Sequence, residues 1–147
     1  MVAPEPPARR PAWVTLLAVL LGLIALLQLL LAGGVLSARG DGAFLARTGL
    51  SAAAWLWVAT GALLLAAGCL VLARQLLRGG PSTRAPAGAA AGLAGLAMAG
   101  GAWGVVTFGG NLQWSSILTV AVALMALGVV WSNRSAAFAA SGPPGPE

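Results

Sequence analysis

General acid and base catalysis needs two groups that hold and release a proton within reach of one reacting atom. The carboxylic side chains here are Glu5, Asp41 and Glu147, far apart in sequence and two of them in the terminal segments, so no pair is placed for that work. Histidine and lysine are absent, and Cys69 is the single cysteine. One thiol makes neither an intramolecular disulfide nor a CxxC pair, and without histidine it builds no four-ligand metal site of the usual type. Cys69 is therefore expected to be a small, inert apolar residue. No cofactor is expected, and the chain is read as something other than an enzyme.

The remaining polar side chains are few. Gln28 stands alone in a long apolar run, between Ala25 and Ala32 on a helical wheel, so it is expected to face other helices and not lipid. Intramembrane polar groups are often functional, but an amide does not titrate at any ordinary pH. An interhelical hydrogen bond, worth about 0.6 kcal/mol, is the expected role. Thr60, Thr107 and Thr119 are expected to return their hydroxyls to a preceding backbone carbonyl. Asn111, Gln113, Ser115 and Ser116 follow Gly109 and Gly110, which reads as a tight solvated turn between two helices. Arg39-Gly40-Asp41 matches a tripeptide that adhesion receptors recognise, and three loop residues carry almost no specificity.

The elements that hold these residues are set by composition. Of 147 residues, 59% are hydrophobic and 7% charged, which is not a soluble balance. A bilayer core about 30 Å thick takes about 20 apolar residues of helix. Four such stretches are free of charge: Trp13–Leu36, Ser51–Ala73, Ala87–Phe108 and Leu112–Trp131. The expected fold is an all-α, polytopic membrane protein, a four-helix transmembrane bundle over 13–134. Pro-rich residues 1–12 and Pro/Gly-rich residues 135–147 have too little apolar surface to bury and are expected to be disordered. Residues 43–46, between the first two spans, suit one helical turn in the membrane interface.

The net charge of +5 comes from eight Arg set against three acids, with no basic cluster of the kind that neutralises phosphates, so no nucleic acid is expected as a partner. Membrane topology accounts for the charge. With the N-terminus inside, Arg9, Arg10, Arg74, Arg78, Arg84 and Arg134 lie on the cytoplasmic side and Arg39 and Arg47 outside. Trp13 and Trp131 then mark the inner boundary and Trp55, Trp57, Trp103 and Trp114 the outer one. A multi-pass protein of the inner (plasma) membrane with both termini cytoplasmic is expected. Arg9 and Arg10 with Ala32-Gly33-Gly34 also resemble parts of a cleaved signal peptide. The apolar run of 24 residues exceeds the usual h-region of about 7 to 15, so the segment is expected to stay as a span.

Helices in lipid associate largely through close backbone approach at small residues. In the third span, 14 of 22 residues are Gly or Ala, and steps of four and three pick out Gly88, Gly92, Gly95, Ala99 and Ala102 as a packing seam. Ala18, Gly22, Ala25, Leu29 and Ala32 repeat this phase in the first span. Ala54, Gly61 and Gly68 in the second and Ala121 and Gly128 in the fourth recur at sevens. That period predicts a left-handed bundle.

Trp55, Gly61 and Gly68, followed by Trp114-Ser115-Ser116-Ile117-Leu118 at the start of the last span, resemble a family of small bacterial four-span membrane proteins known as a domain of unknown function. The resemblance covers Trp13 to about Trp131 and implies the fold without an activity. Its third span would be bulkier and end in a Pro- and Tyr-rich turn, where this chain has Gly109-Gly110-Asn111. Small multidrug exporters with four helices depend on a carboxylate within a span, and four-helix quinone-linked thiol oxidoreductases on paired cysteines; neither occurs here. The expected function is that of an interaction, accessory or structural membrane subunit, partnered by the bilayer and by another membrane protein or a second copy. A small uncoupled channel or transporter, with Gln28 and the Asn111/Gln113 mouth on its path, is the alternative.

Overall fold

Long apolar segments without proline form helices in lipid because every backbone amide must find its partner within the segment. The structure, a computed structural model, describes residues 11–78 and 84–140, with side chains over 11–78 and 86–134. The helices are α1 (Ala12–Ala38), α2 (Gly42–Thr48), α3 (Ala52–Arg78), α4 (Arg84–Thr107) and α5 (Asn111–Ala140). Four of them, α1, α3, α4 and α5, are long and apolar enough to cross a bilayer. The chain is a multi-pass membrane protein, an all-α four-helix bundle in contact with lipid.

The spans run past the expected limits. α3 continues to Arg78 and carries Arg74 and Arg78 on its last turns. α5 continues to Ala140, so residues 135–140, expected to be disordered, are helical; their Ser-Ala-Ala-Phe-Ala-Ala sequence carries no Pro or Gly to stop the helix. The expectations for 1–10 and 141–147 lie outside the described residues.

Short-range chemistry fixes the connections. The Asp41 side chain accepts from the Ala43 amide at 2.9 Å and starts α2, and Gly49 ends it in the left-handed region at φ 67, its N–H bonded to the Leu45 carbonyl. The interfacial turn expected at residues 43–46 is thus the centre of a seven-residue helix. Ser51 caps α3 by accepting from the Ala54 amide at 3.2 Å. Between α4 and α5, Gly110 takes φ 62.

Around the bundle, α1 packs on α3 and on α5, and α4 packs on α5, while α3 and α4 meet over a short stretch. On every long helix a series of buried positions steps by three and four. They are Val14, Leu17, Leu21, Ile24, Gln28, Leu31 and Val35 on α1, and Trp55, Ala59, Ala62, Ala66, Cys69, Ala73 and Leu76 on α3. On α4 they are Ala87, Ala90, Ala94, Ala97, Gly101 and Gly104, and on α5 Ser116, Thr119, Ala123, Ala126 and Val130. In the larger core cluster most of the large buried side chains come from α1 and most of the small ones from the other three helices, with Leu76 of α3 and Val122 and Val130 of α5 among the larger ones.

The heptad period is as expected, and its phase is not. On α4, Gly92, Ala99 and Ala102 are exposed, Gly88 and Gly95 are half-exposed, and a Cβ added at Gly92 or Gly95 would meet nothing within 4 Å. The Gly88, Gly92, Gly95, Ala99, Ala102 seam therefore does not hold this bundle together; the Ala87 to Gly104 face does. Gly61 on α3 and Ala121 and Gly128 on α5 are likewise exposed, and on α1 Leu29 is exposed while Ala18, Ala25 and Ala32 are buried. Helices approach through alanine here, and the bulky residues of α4 mark its outer side: Leu96 and Trp103 are exposed, and Val106 is 87% exposed. True close approach on α4 occurs at Gly101, where a Cβ would lie 3.1 Å from the Ser116 carbonyl, and at Gly104, where it would collide with the Ser116 hydroxyl.

Candidate functional site

Where α3 and α4 draw apart, their facing residues are too small to fill the gap. Gly61 and Ala62 on α3 and Gly100 on α4 leave a cavity of about 530 Å³, floored by Gln28 and Leu31 of α1. Volumes of about 300 to 1,000 Å³, mostly apolar with a few polar groups, are usual for small-molecule sites. Leu64 and Leu96 line the cavity and are exposed on the bundle's flank, so it opens sideways toward lipid. Below it a shallower groove between α3 and α4, past the contact of Leu93 with Gly68, includes Gly92 and Val71.

Gln28 turns inward as its neighbours predict, and is 4% exposed. The interhelical hydrogen bond expected of it is absent: its amide makes none with the described residues. The reason is geometric. The small residues of α3 and α4 opposite it carry no polar side-chain atom, and the amide opens onto the cavity.

One end of the cavity is aromatic. Trp103 and Phe108 line it, their centroids 5.8 Å apart in an edge-to-face pair. Behind them Trp55 is wholly buried, 5.3 Å from Phe108, 6.2 Å from Trp103 and 5.0 Å from Phe44 of α2. Trp55, in the first turn of α3, therefore faces the bundle and not lipid. It is the centre of the cluster with Leu31, Ala32 and Val35, and its indole N–H is buried without a partner. Trp57, Trp114 and Trp131 are strongly exposed, as membrane boundaries favour, and Trp103 less so.

The other polar candidates serve the backbone. Thr60, Thr107 and Thr119 donate to the carbonyls of Leu56, Trp103 and Ser115 at 2.8, 2.9 and 2.8 Å. Gln113 donates to the Val105 carbonyl at 3.1 Å, tying the start of α5 to the end of α4. Ser116 returns to the Leu112 carbonyl at 2.9 Å, and the Ser115 hydroxyl is buried without a partner. The Asn111/Gln113 group thus closes a turn, apart from the cavity. Cys69 is buried among the apolar residues of the core. Missed by the sequence was the cavity itself, although Gly61 and Gly100 facing a lone glutamine would have been its signal.

Comparisons with protein-family models, with curated proteins and with solved structures gave no match. The site therefore stands on its own geometry.

Proposed function

We propose that the chain is an accessory subunit of the inner (plasma) membrane, with both termini in the cytoplasm, that attaches to another membrane protein along the outer side of α4. The observation that carries this reading is that Gly92 and Gly95, with Ala99 and Ala102, form a small-residue stripe that this bundle does not use, with nothing within 4 Å of either glycine's added Cβ. Stripes of this type let a second helix approach closely and gain dispersion contacts that lipid chains make less well. The excess of six Arg on one side against two on the other supports the orientation.

The test is purification in mild detergent of the parent chain and of Gly92→Leu/Gly95→Leu, each weighed by light scattering. The expected result is a larger assembly for the parent and a lone chain with an unchanged melt for the variant. Two equal copies in the parent would make the partner a second copy. A lone chain in both cases would overturn the reading.

A further inference from the structure

We propose that the cavity over Gln28 binds a neutral, membrane-dissolved molecule with a hydrogen-bonding carbonyl or hydroxyl head and an apolar tail. Gln28 has both donor and acceptor atoms at the cavity floor, is 4% exposed and has no protein partner among the described residues. A ligand that brings one polar head satisfies it, and an acyl chain alone does not.

Depth sets the ligand's charge. At 1.5 Å per residue, Gln28 lies about 24 Å along α1 from Ala12 and about 15 Å from Ala38, inside the hydrocarbon core. The residues lining the cavity carry no ionisable side chain. A charged head at that depth would stay unpaired, which the membrane interior strongly disfavours. A phospholipid's charged head belongs at the interface, so the ligand is a molecule whose polar group tolerates the bilayer interior. The faces of Trp103 and Phe108 at one end suit a flat ring. Entry is lateral, between Leu64 and Leu96, and the tail lies along the gap between α3 and α4.

The full chain, in nanodiscs of phosphatidylcholine, is titrated with a substituted benzoquinone bearing a ten-carbon tail, with undecanol and with decane, and binding is read as saturable change in tryptophan emission. Gln28→Leu and Gly100→Leu are the variants. Gly100 lines the cavity, and a Cβ there meets nothing within 4 Å, so the leucine adds bulk at the lining without displacing a neighbour. The expected results are saturable binding of the quinone, about tenfold weaker in Gln28→Leu, as loss of one hydrogen bond gives, and lost in Gly100→Leu with an unchanged melt. Undecanol binding as tightly as the quinone would identify a hydroxyl head as sufficient; weaker binding would identify the ring carbonyl. Decane binding as tightly as either, or equal affinity in parent and Gln28→Leu, would overturn the proposal. Should Gln28→Leu fail to fold, unchanged binding in Gly100→Leu overturns it independently. Gly92 and Gly95 do not line the cavity, so loss of assembly in Gly92→Leu/Gly95→Leu leaves this result standing.

Discussion

Asp41 shows how a suggestive tripeptide is absorbed by local structure. Its carboxylate is bonded to the Ala43 amide, where it satisfies one of the free N–H groups that every helix start leaves. Asp41→Ala is expected to weaken α2 by about 1 kcal/mol and Asp41→Asn by much less, read as faster amide hydrogen exchange over residues 43–48. Equal exchange in both variants would mean that the cap does not hold the helix. Gln28 behaves differently, because its amide faces the cavity and makes no hydrogen bond with the described residues. Without ligand, Gln28→Leu is expected not to lower the melting temperature, since it removes a polar group that no protein group satisfies among the described residues. A lowered melt would show that the amide is already satisfied in the protein.

Ala90 and Ala97 are fully buried in the shared core, and Gly101 lies against the Ser116 carbonyl and Val120. Ala90→Leu, Ala97→Leu and Gly101→Leu are each expected to cost about 1–3 kcal/mol or more through overpacking, whereas Gly92→Leu and Gly95→Leu leave the melt of the lone chain unchanged. A thermal series in detergent separates the two sets, and equal melts would mean that α4 has no preferred face. The element types, their number and their heptad period were legible in the sequence because length and apolarity decide them. The phase was not. In lipid a leucine loses nothing by facing outward, so the contrast that reveals a buried face in a soluble helix is missing, and in α4 nearly every position is already small. The inward direction of Gln28 was legible because polarity does differ between bundle and lipid. Its missing partner was not legible, since a gap between two other helices depends on how far apart they stand.

At the scale of the whole molecule, the arginine distribution predicts that reporter fusions after Arg134 score cytoplasmic and fusions near Asp41 score external. An external C-terminus would reverse the topology without altering the bundle.

The unequal packing around the bundle has a consequence for how the molecule is assembled. α1 with α3 and α4 with α5 form two antiparallel pairs, and the pairs are clasped mainly through α1 and α5, with little between α3 and α4. Each pair spans the membrane twice and satisfies its own backbone, so each is competent to insert before it meets the other. Severed at residues 79–83 and made as two separate polypeptides, the halves should find each other in the bilayer and copurify. Bulk at Ala123 or Ala126, where α5 is buried in the shared core, should keep them apart.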